Sequence, residues 1–183
     1  MSAQAGVRRL NWGCGTNPEP GWINSDIKED PAVDISADIL EGLPLEEGSI
    51  AYAVSIHALP ELRYTDQVSA LMELRRVLAP EGVLRLALPD LDRAIRAYRE
   101  GDRSYFLIPD EDARAIGSKM ITQLLWYGYS KTLFTFDFIA ELLERAGFRD
   151  AQRCAYRETA SRFPEIVALD NRPEESLFVE ARK

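Results

Sequence analysis

The sequence predicts an α/β fold with a largely parallel sheet. Three observations predict it. Short apolar runs alternate with helical periods along the chain. A Gly-x-Gly turn follows the first of those runs, and acidic residues stand at the ends of the next two. A turn of that kind, at a strand end and beside an acid, is the pattern of a nucleoside-binding edge.

Taken in order, the first strand is Val7 to Trp12, broken off at Gly13-Cys14-Gly15. The second is Trp22 to Ile27, and the third a short piece from Val33 to Ala37, just before Asp38. Ile50 to Ile56 reads as a buried strand. The clearest helix spans Asp66 to Ala79, with Thr65 as its cap. Val68, Leu71, Met72, Leu74, Arg75 and Leu78 carry its period, and Pro80-Glu81-Gly82 ends it. Val83 to Leu88 is an apolar strand interrupted only by Arg85 and ended by Pro89.

Asp90 to Arg99 reads as a helix with Leu91, Ala94, Ile95 and Tyr98 on its inner face. Asp110 to Tyr127 reads as another, with Ile116, Met120, Ile121, Leu124 and Leu125 as the apolar side. Thr135 to Ala146 is amphipathic, its inner face formed by Phe136, Ile139, Ala140, Leu142 and Leu143, and Gly147 closes it. Phe134, Phe136 and Phe138 read as core. Arg149 to Tyr156 and Ser176 to Arg182 are the last strands, with a loop-rich link from Arg157 to Glu175.

Bulk properties narrow the function. The 183 residues suffice for one domain, residues 1–183, with a proper core. The longest apolar runs are a few residues, against the roughly 20 needed to span a bilayer. Met1 to Gly6 has none of the charge and apolar pattern of a secretory leader. Two cysteines, Cys14 and Cys154, make no disulfide framework and suit a reducing cytoplasm. One histidine excludes a multi-histidine metal site, and no metal is expected. The net charge of −8 repels phosphate backbones and anionic membranes. Arg93, Arg96, Arg99 and Arg103 recur at helical spacing, and a solvated face is the reading that fits them.

The chemistry rests on a small set of residues. Gly13 and Gly15 let a ligand approach the backbone where a Cβ would collide. Asp26 can accept two hydrogen bonds from ribose hydroxyls. Asp38 adds an acceptor placed for an exocyclic amine of adenine, a role Asp30 or Asp34 could share. Cys14 has no base near it in sequence and reads as a small turn residue. His57, just past a buried strand, is either a satisfied strand-end residue or a general base. Tyr127, Tyr129 and Lys131 could hold a second substrate or pack on their own sheet.

Leu10-Asn11-Trp12-Gly13-Cys14-Gly15, Gly21 to Ile27, Ala37-Asp38-Ile39 and Leu43-Pro44-Leu45 together resemble the class I S-adenosylmethionine-dependent methyltransferases. More narrowly, they resemble the small methyltransferases of the type 11 group. Ser55 to Leu62, Glu73 to Gly82, Leu88-Pro89-Asp90, Ala146-Gly147-Phe148 and Ser176 to Ala181 follow in the family's order. The resemblance implies a Rossmann-like, doubly wound sheet of about seven strands with the last one antiparallel. It implies S-adenosylmethionine as cofactor, with Gly13, Cys14 and Gly15 against its methionine part. Asp26, with Ile27 beside it, would hold the ribose, and Asp38 and Ile39 would frame the adenine. Ser55 and His57 would line the pocket near the transferred methyl, with His57 as the candidate catalytic group.

Two departures from the family are visible. Only Thr16 to Gly21 separate the glycine turn from strand two, and strands two and three are joined as briefly. Parallel crossovers usually need a dozen or more residues, so the N-terminal half is shortened and one sheet face is expected to be thinly covered. Pro60 stands where the family has a charged or histidine-type residue, and it is expected to hold Leu59 extended. The implied activity is methyl transfer to a small-molecule acceptor: a sugar, a lipid precursor or another metabolite. A non-catalytic nucleoside-binding module of the same fold is the alternative. A nicotinamide oxidoreductase would want a third glycine and a following helix. A nucleic-acid methyltransferase fits neither the acidic charge nor the lack of an Asn-Pro-Pro-aromatic motif. Nothing in the sequence speaks to oligomeric state.

Overall fold

A computed structural model describes residues 7–183, so the expectation about Met1 to Gly6 lies outside the described residues. Seven strands form one sheet: β1 (Arg9–Trp12), β2 (Ile23–Asp26), β3 (Ile35–Ser36), β4 (Ile50–Ile56), β5 (Leu78–Pro89), β6 (Arg149–Cys154) and β7 (Ser176–Arg182). Their spatial order is β3-β2-β1-β4-β5-β7-β6. The first five strands run parallel to one another. β7 is antiparallel to both β5 and β6. The order reverses between β1 and β4. In an open α/β sheet, that is where the strand ends leave a crevice for a ligand.

Side-chain alternation on the central strands sorts the two faces. Leu84, Leu86 and Leu88 of β5, Leu177, Val179 and Ala181 of β7, and Ala53 of β4 join one large core. Two helices cover it: α1 (Gln67–Val77), through Leu71, Leu74 and Val77, and α4 (Phe136–Arg145), through Ile139, Leu142 and Leu143. Gly147 ends α4 with φ of 86°, as its position past the last periodic residue predicts.

The opposite face is built differently. No α-helix joins β1 to β2, β2 to β3 or β3 to β4 among the described residues. The face is nonetheless covered, because the link between β6 and β7 crosses it. Ile166 of that link joins Trp22, Tyr52, Val54 and Val83 in a second core, against which Phe163, Val167 and Leu169 pack. The Tyr52 and Phe163 rings lie 4.9 Å apart, a distance typical of favourable aromatic pairs. The expected bare face is therefore filled by a strap, residues 157–175, whose apolar residues are too irregular to signal an element.

Arg85 pins the strap. Its side chain is fully buried on this face and meets Asp170 twice, Nε to Oδ1 at 2.7 Å and Nη2 to Oδ2 at 2.6 Å. Nη1 donates to Glu180 Oε1 at 2.6 Å. The remaining donors reach the carbonyls of Glu158 and Ala155. One strand charge thus holds both ends of the strap, and the fork geometry of the guanidinium suits two carboxylates at once.

Several local expectations are corrected. Thr65 does not cap α1: a 3-10 turn, Tyr64–Asp66, leads into it, and the Thr65 hydroxyl donates to Asp66 instead. Met72 points outward. α1 stops at Val77, and β5 begins at once at Leu78, with residues 79–82 looping out before pairing resumes at Val83. In α2 (Leu91–Glu100) the buried residues are Ala94 and Ala97, while Ile95 and Tyr98 are exposed. Asp90 caps this helix by accepting from the Arg93 amide. Arg93 and Arg103 are bound to loop carbonyls, so the four arginines form no continuous basic stripe. α3 (Ile116–Leu125) starts six residues later than expected, because Lys119 turns inward to the Ile108 carbonyl and Asp110 and ties residues 108–115 into turns. Its Ile121 and Leu125 are exposed. Leu59 is not extended: Leu59–Glu61 is a 3-10 turn with Pro60 in its first positions, where the missing amide is harmless.

Candidate active site

The carboxyl ends of β1, β2 and β4 open on a cavity of about 480 Å³, within the size range of small-molecule sites. No helix among the described residues is long and apolar enough to cross a membrane.

Its floor is the glycine turn. The amides of Gly13 and Cys14 both donate to the Ser25 carbonyl, at 2.7 and 3.1 Å, which closes the turn over β2. Gly13 has φ of 68°, and a Cβ there would lie 2.1 Å from that of Ala58. Its requirement for glycine thus comes from the protein's own packing. Gly15, with φ of 53°, faces open space. That position leaves the backbone free for a ligand to approach. Cys14 is buried, and burial, then the nearby Asp26, pushes its thiol above the ordinary range, which disarms it as a nucleophile.

Asp26 bridges the floor and the wall. Its Oδ2 accepts from the Gly15 amide at 2.8 Å and its Oδ1 from the Lys28 amide at 3.0 Å. A carboxylate has about four acceptor positions, so one remains on each oxygen for a pair of hydroxyls. Ile27, exposed, and Ile39, buried, line the same cavity with Asp38. The Asp38 Oδ1 accepts from the Leu40 amide at 2.9 Å. Of its two neighbours, Asp30 reaches the cavity, while Asp34 is spent on the Asn24 amide. Ser55 does not line the cavity: it is buried within β4, its hydroxyl without a partner among the described residues.

His57 lies at the deep end with a left-handed backbone, φ of 56°, and its amide is held by the Ala87 carbonyl. Both ring nitrogens are engaged. Arg172 Nη1 lies 3.3 Å from Nδ1, and Nε2 lies 2.8 Å from Ser176 Oγ. A guanidinium can only donate, so Nδ1 accepts and the proton sits on Nε2. Burial, aided by the Arg172 charge, lowers its pKa to about 3.

The remaining wall comes from residues that sequence reading passed over. Gln123, Trp126, Tyr129 and Ser130 arrive from the end of α3 and the turn after it, and Arg172 and Glu175 from the strap. Of these only Tyr129 was singled out, and neither Tyr127 nor Lys131 lines the cavity. The Arg172 guanidinium sits 5.6 Å over the Trp126 ring. Glu61 also faces the cavity, and burial raises its pKa. The one signal that could have exposed this wall was charge in an otherwise apolar link: Asp170, Arg172 and Glu175 within a few residues.

Comparison with known proteins agrees with this geometry. Residues 10–86 match the family model described as a methyltransferase domain. No curated protein matches the chain. Among solved structures, it is similar to an S-adenosylmethionine-dependent methyltransferase from Archaeoglobus fulgidus, at 15% identity and a TM-score of 0.61, over 97% of this chain and 87% of that one. A second, from Mesorhizobium loti, shares 18% identity at a TM-score of 0.54, over 100% and 94% of the two chains. A third is the 1,6-didemethyltoxoflavin N1-methyltransferase of Burkholderia thailandensis, solved with that substrate and S-adenosylhomocysteine. It shares 16% identity at a TM-score of 0.54, over 96% of this chain and 70% of that one. The matched segment contains the glycine turn and Asp26. A segment of somewhat less than half the chain thus matches a methyltransferase domain, and the chain as a whole shares its fold with S-adenosylmethionine-dependent methyltransferases.

Proposed function

We propose that this enzyme methylates a small-molecule acceptor such as a sugar, a lipid precursor or another metabolite. The observation that carries the reading is the paired floor and wall of the cavity: Gly15 open to a ligand, and Asp26 fixed against it with acceptor positions to spare. In this reading Gly13, Cys14 and Gly15 hold the methionine part, Asp26 and Ile27 the ribose, and Asp38 and Ile39 the adenine. Ser55, buried in β4 and outside the cavity lining, has no direct contact with the cofactor in this reading.

The bound cofactor supplies an activated sulfonium methyl. The protein's contribution is then proximity and alignment, which a cavity lined from several elements supports. His57 is better suited to shaping the wall than to taking a proton, because its free base is already committed to Arg172. The same reading places the chain in the cytoplasm, which suits two cysteines that stay unpaired, with no nucleic-acid or membrane partner.

Calorimetric titration of S-adenosylmethionine, S-adenosylhomocysteine and NADH tests it. Both sulfur ligands should bind and NADH should not. Asp26→Ala should weaken the sulfur ligands by about 1.5–3 kcal/mol, the scale of hydrogen bonds to a charged group. Asp26→Asn, which can keep the Gly15 contact, should cost less. Failure of both sulfur ligands to bind at millimolar concentration would overturn the proposal.

A further inference from the structure

Glu175 stands out among the cavity residues. Its side chain is 9% exposed, yet its carboxylate accepts no hydrogen bond among the described residues. The one charge near it is the Arg172 guanidinium, whose Nε stays 3.8 Å from Oε1. A mostly buried carboxylate normally finds several protein donors, whereas the Glu175 oxygens keep their access to the cavity instead.

Gln123 faces the same cavity and is also buried. Its Oε1 is taken by the Leu107 amide at 2.6 Å, and its Nε2 donates to nothing among the described residues. Trp126 and Tyr129 supply flat apolar surface beside them. All four come from elements that the proposed cofactor residues do not use. The lining is acidic on balance: Asp26, Glu29, Asp30, Asp38, Glu61 and Glu175 against Lys28 and Arg172.

We infer that Glu175 is the acceptor-binding residue of the enzyme, and that the acceptor is a small amine or alcohol with an apolar body, whose N–H or O–H donates to this carboxylate. The inference rests on the methyltransferase reading and names the substrate class of the same site. Gln123 Nε2 offers the acceptor a donor in turn, and Trp126 covers its apolar part. A proton shed by the acceptor's nitrogen or oxygen passes to a Glu175 oxygen, which becomes the neutral acid. Burial already favours that form, with Arg172 offsetting part of the effect.

The test uses the full-length protein saturated with S-adenosylhomocysteine and four probes on one skeleton: 2-phenylethylamine, 2-phenylethanol, 3-phenylpropionate and the methyl ether of 2-phenylethanol. The amine and the alcohol should bind ahead of the carboxylate and the ether. Glu175→Gln should reduce that preference by roughly tenfold to a hundredfold, the worth of hydrogen bonds to a charged group. S-adenosylhomocysteine should bind both proteins alike, which also shows that the variant is folded. If that ligand binds but the four probes bind equally, or none binds, or Glu175→Gln keeps the wild-type preference, the inference is wrong. If S-adenosylhomocysteine does not bind the wild type, the methyltransferase reading itself fails and the inference falls with it.

Discussion

The two faces of the sheet solve the same problem by different means. One is covered by α1 and α4, whose leucines and isoleucines recur at helical spacing and bury a continuous apolar core. The other is covered by the 157–175 strap, held by a few apolar contacts and by one buried arginine between two carboxylates. On the first face, removing one side chain leaves a cavity, and the neighbours relax around it. On the second, removing one carboxylate takes charge-assisted hydrogen bonds from a buried guanidinium. The strap also delivers Arg172 and Glu175 to the site, so this face couples stability to function where the helical face does not.

The largest expected effect breaks the strap. Asp170→Ala should destabilise the protein by about 3–5 kcal/mol, because it removes two charge-assisted hydrogen bonds from the buried Arg85 guanidinium, which keeps only Glu180 as an ionic partner. It should also weaken acceptor binding, since Arg172 and Glu175 are only a few residues away. Leu74→Ala on the helical face should cost about 2–5 kcal/mol but leave ligand affinity nearly unchanged in the fraction still folded. Urea denaturation combined with ligand titration separates the two. Equal ligand effects from both variants would remove the distinction between the faces.

A smaller and sharper contrast lies in the glycine turn. Gly13→Ala sets a Cβ against Ala58 in a left-handed backbone, and should lower both stability and cofactor affinity. Gly15→Ala meets open space, so its stability cost should be no more than the backbone term of about 1–2 kcal/mol. Its effect should fall mainly on S-adenosylmethionine affinity. Thermal melts with and without S-adenosylhomocysteine read the difference.

The last effect concerns pH and is confined to acid. His57 faces Arg172 and Ser176, with Glu175 next in the chain, and its pKa falls from 6.5 to about 3. The neutral ring is the form the folded state prefers. Its contribution is therefore complete above about pH 6.5 and is lost as the pH falls toward 3. His57→Gln should flatten that part of the urea-midpoint profile and leave it unchanged above neutrality. An identical acid slope in the variant would show that His57 does not titrate in this way.

Much of this was legible in the sequence because it follows local rules. β4 and β7 appear at their expected bounds, since apolar runs flanked by turns are hard to misread. The glycine turn and the acids Asp26 and Asp38 sit at one edge of the sheet, since strand ends in a parallel sheet converge there. The misses arise where tertiary contacts override local pattern. Ile95 and Tyr98 lose their expected burial because α2 packs through Ala94 and Ala97, and Ile121 and Leu125 lose theirs because α3 turns Lys119, Gln123 and Leu124 inward, a turn that also delays its start. The strap has no periodicity and reads as a loop, although it fills a face and supplies Arg172 and Glu175 to the cavity wall. Arg85 was the clue: a charge in the middle of an apolar strand needs buried partners, and no periodicity says where in the chain those partners lie.

The central claim is that the cofactor lies on the turn at Gly13 to Gly15, against Asp26. Hydrogen–deuterium exchange of the wild-type protein, with and without saturating S-adenosylhomocysteine, tests it directly. The account predicts slowed exchange at residues 13–17, 26–28 and 37–40, and little change in α1 and α4. Protection confined to other segments, or none at full saturation, would contradict it.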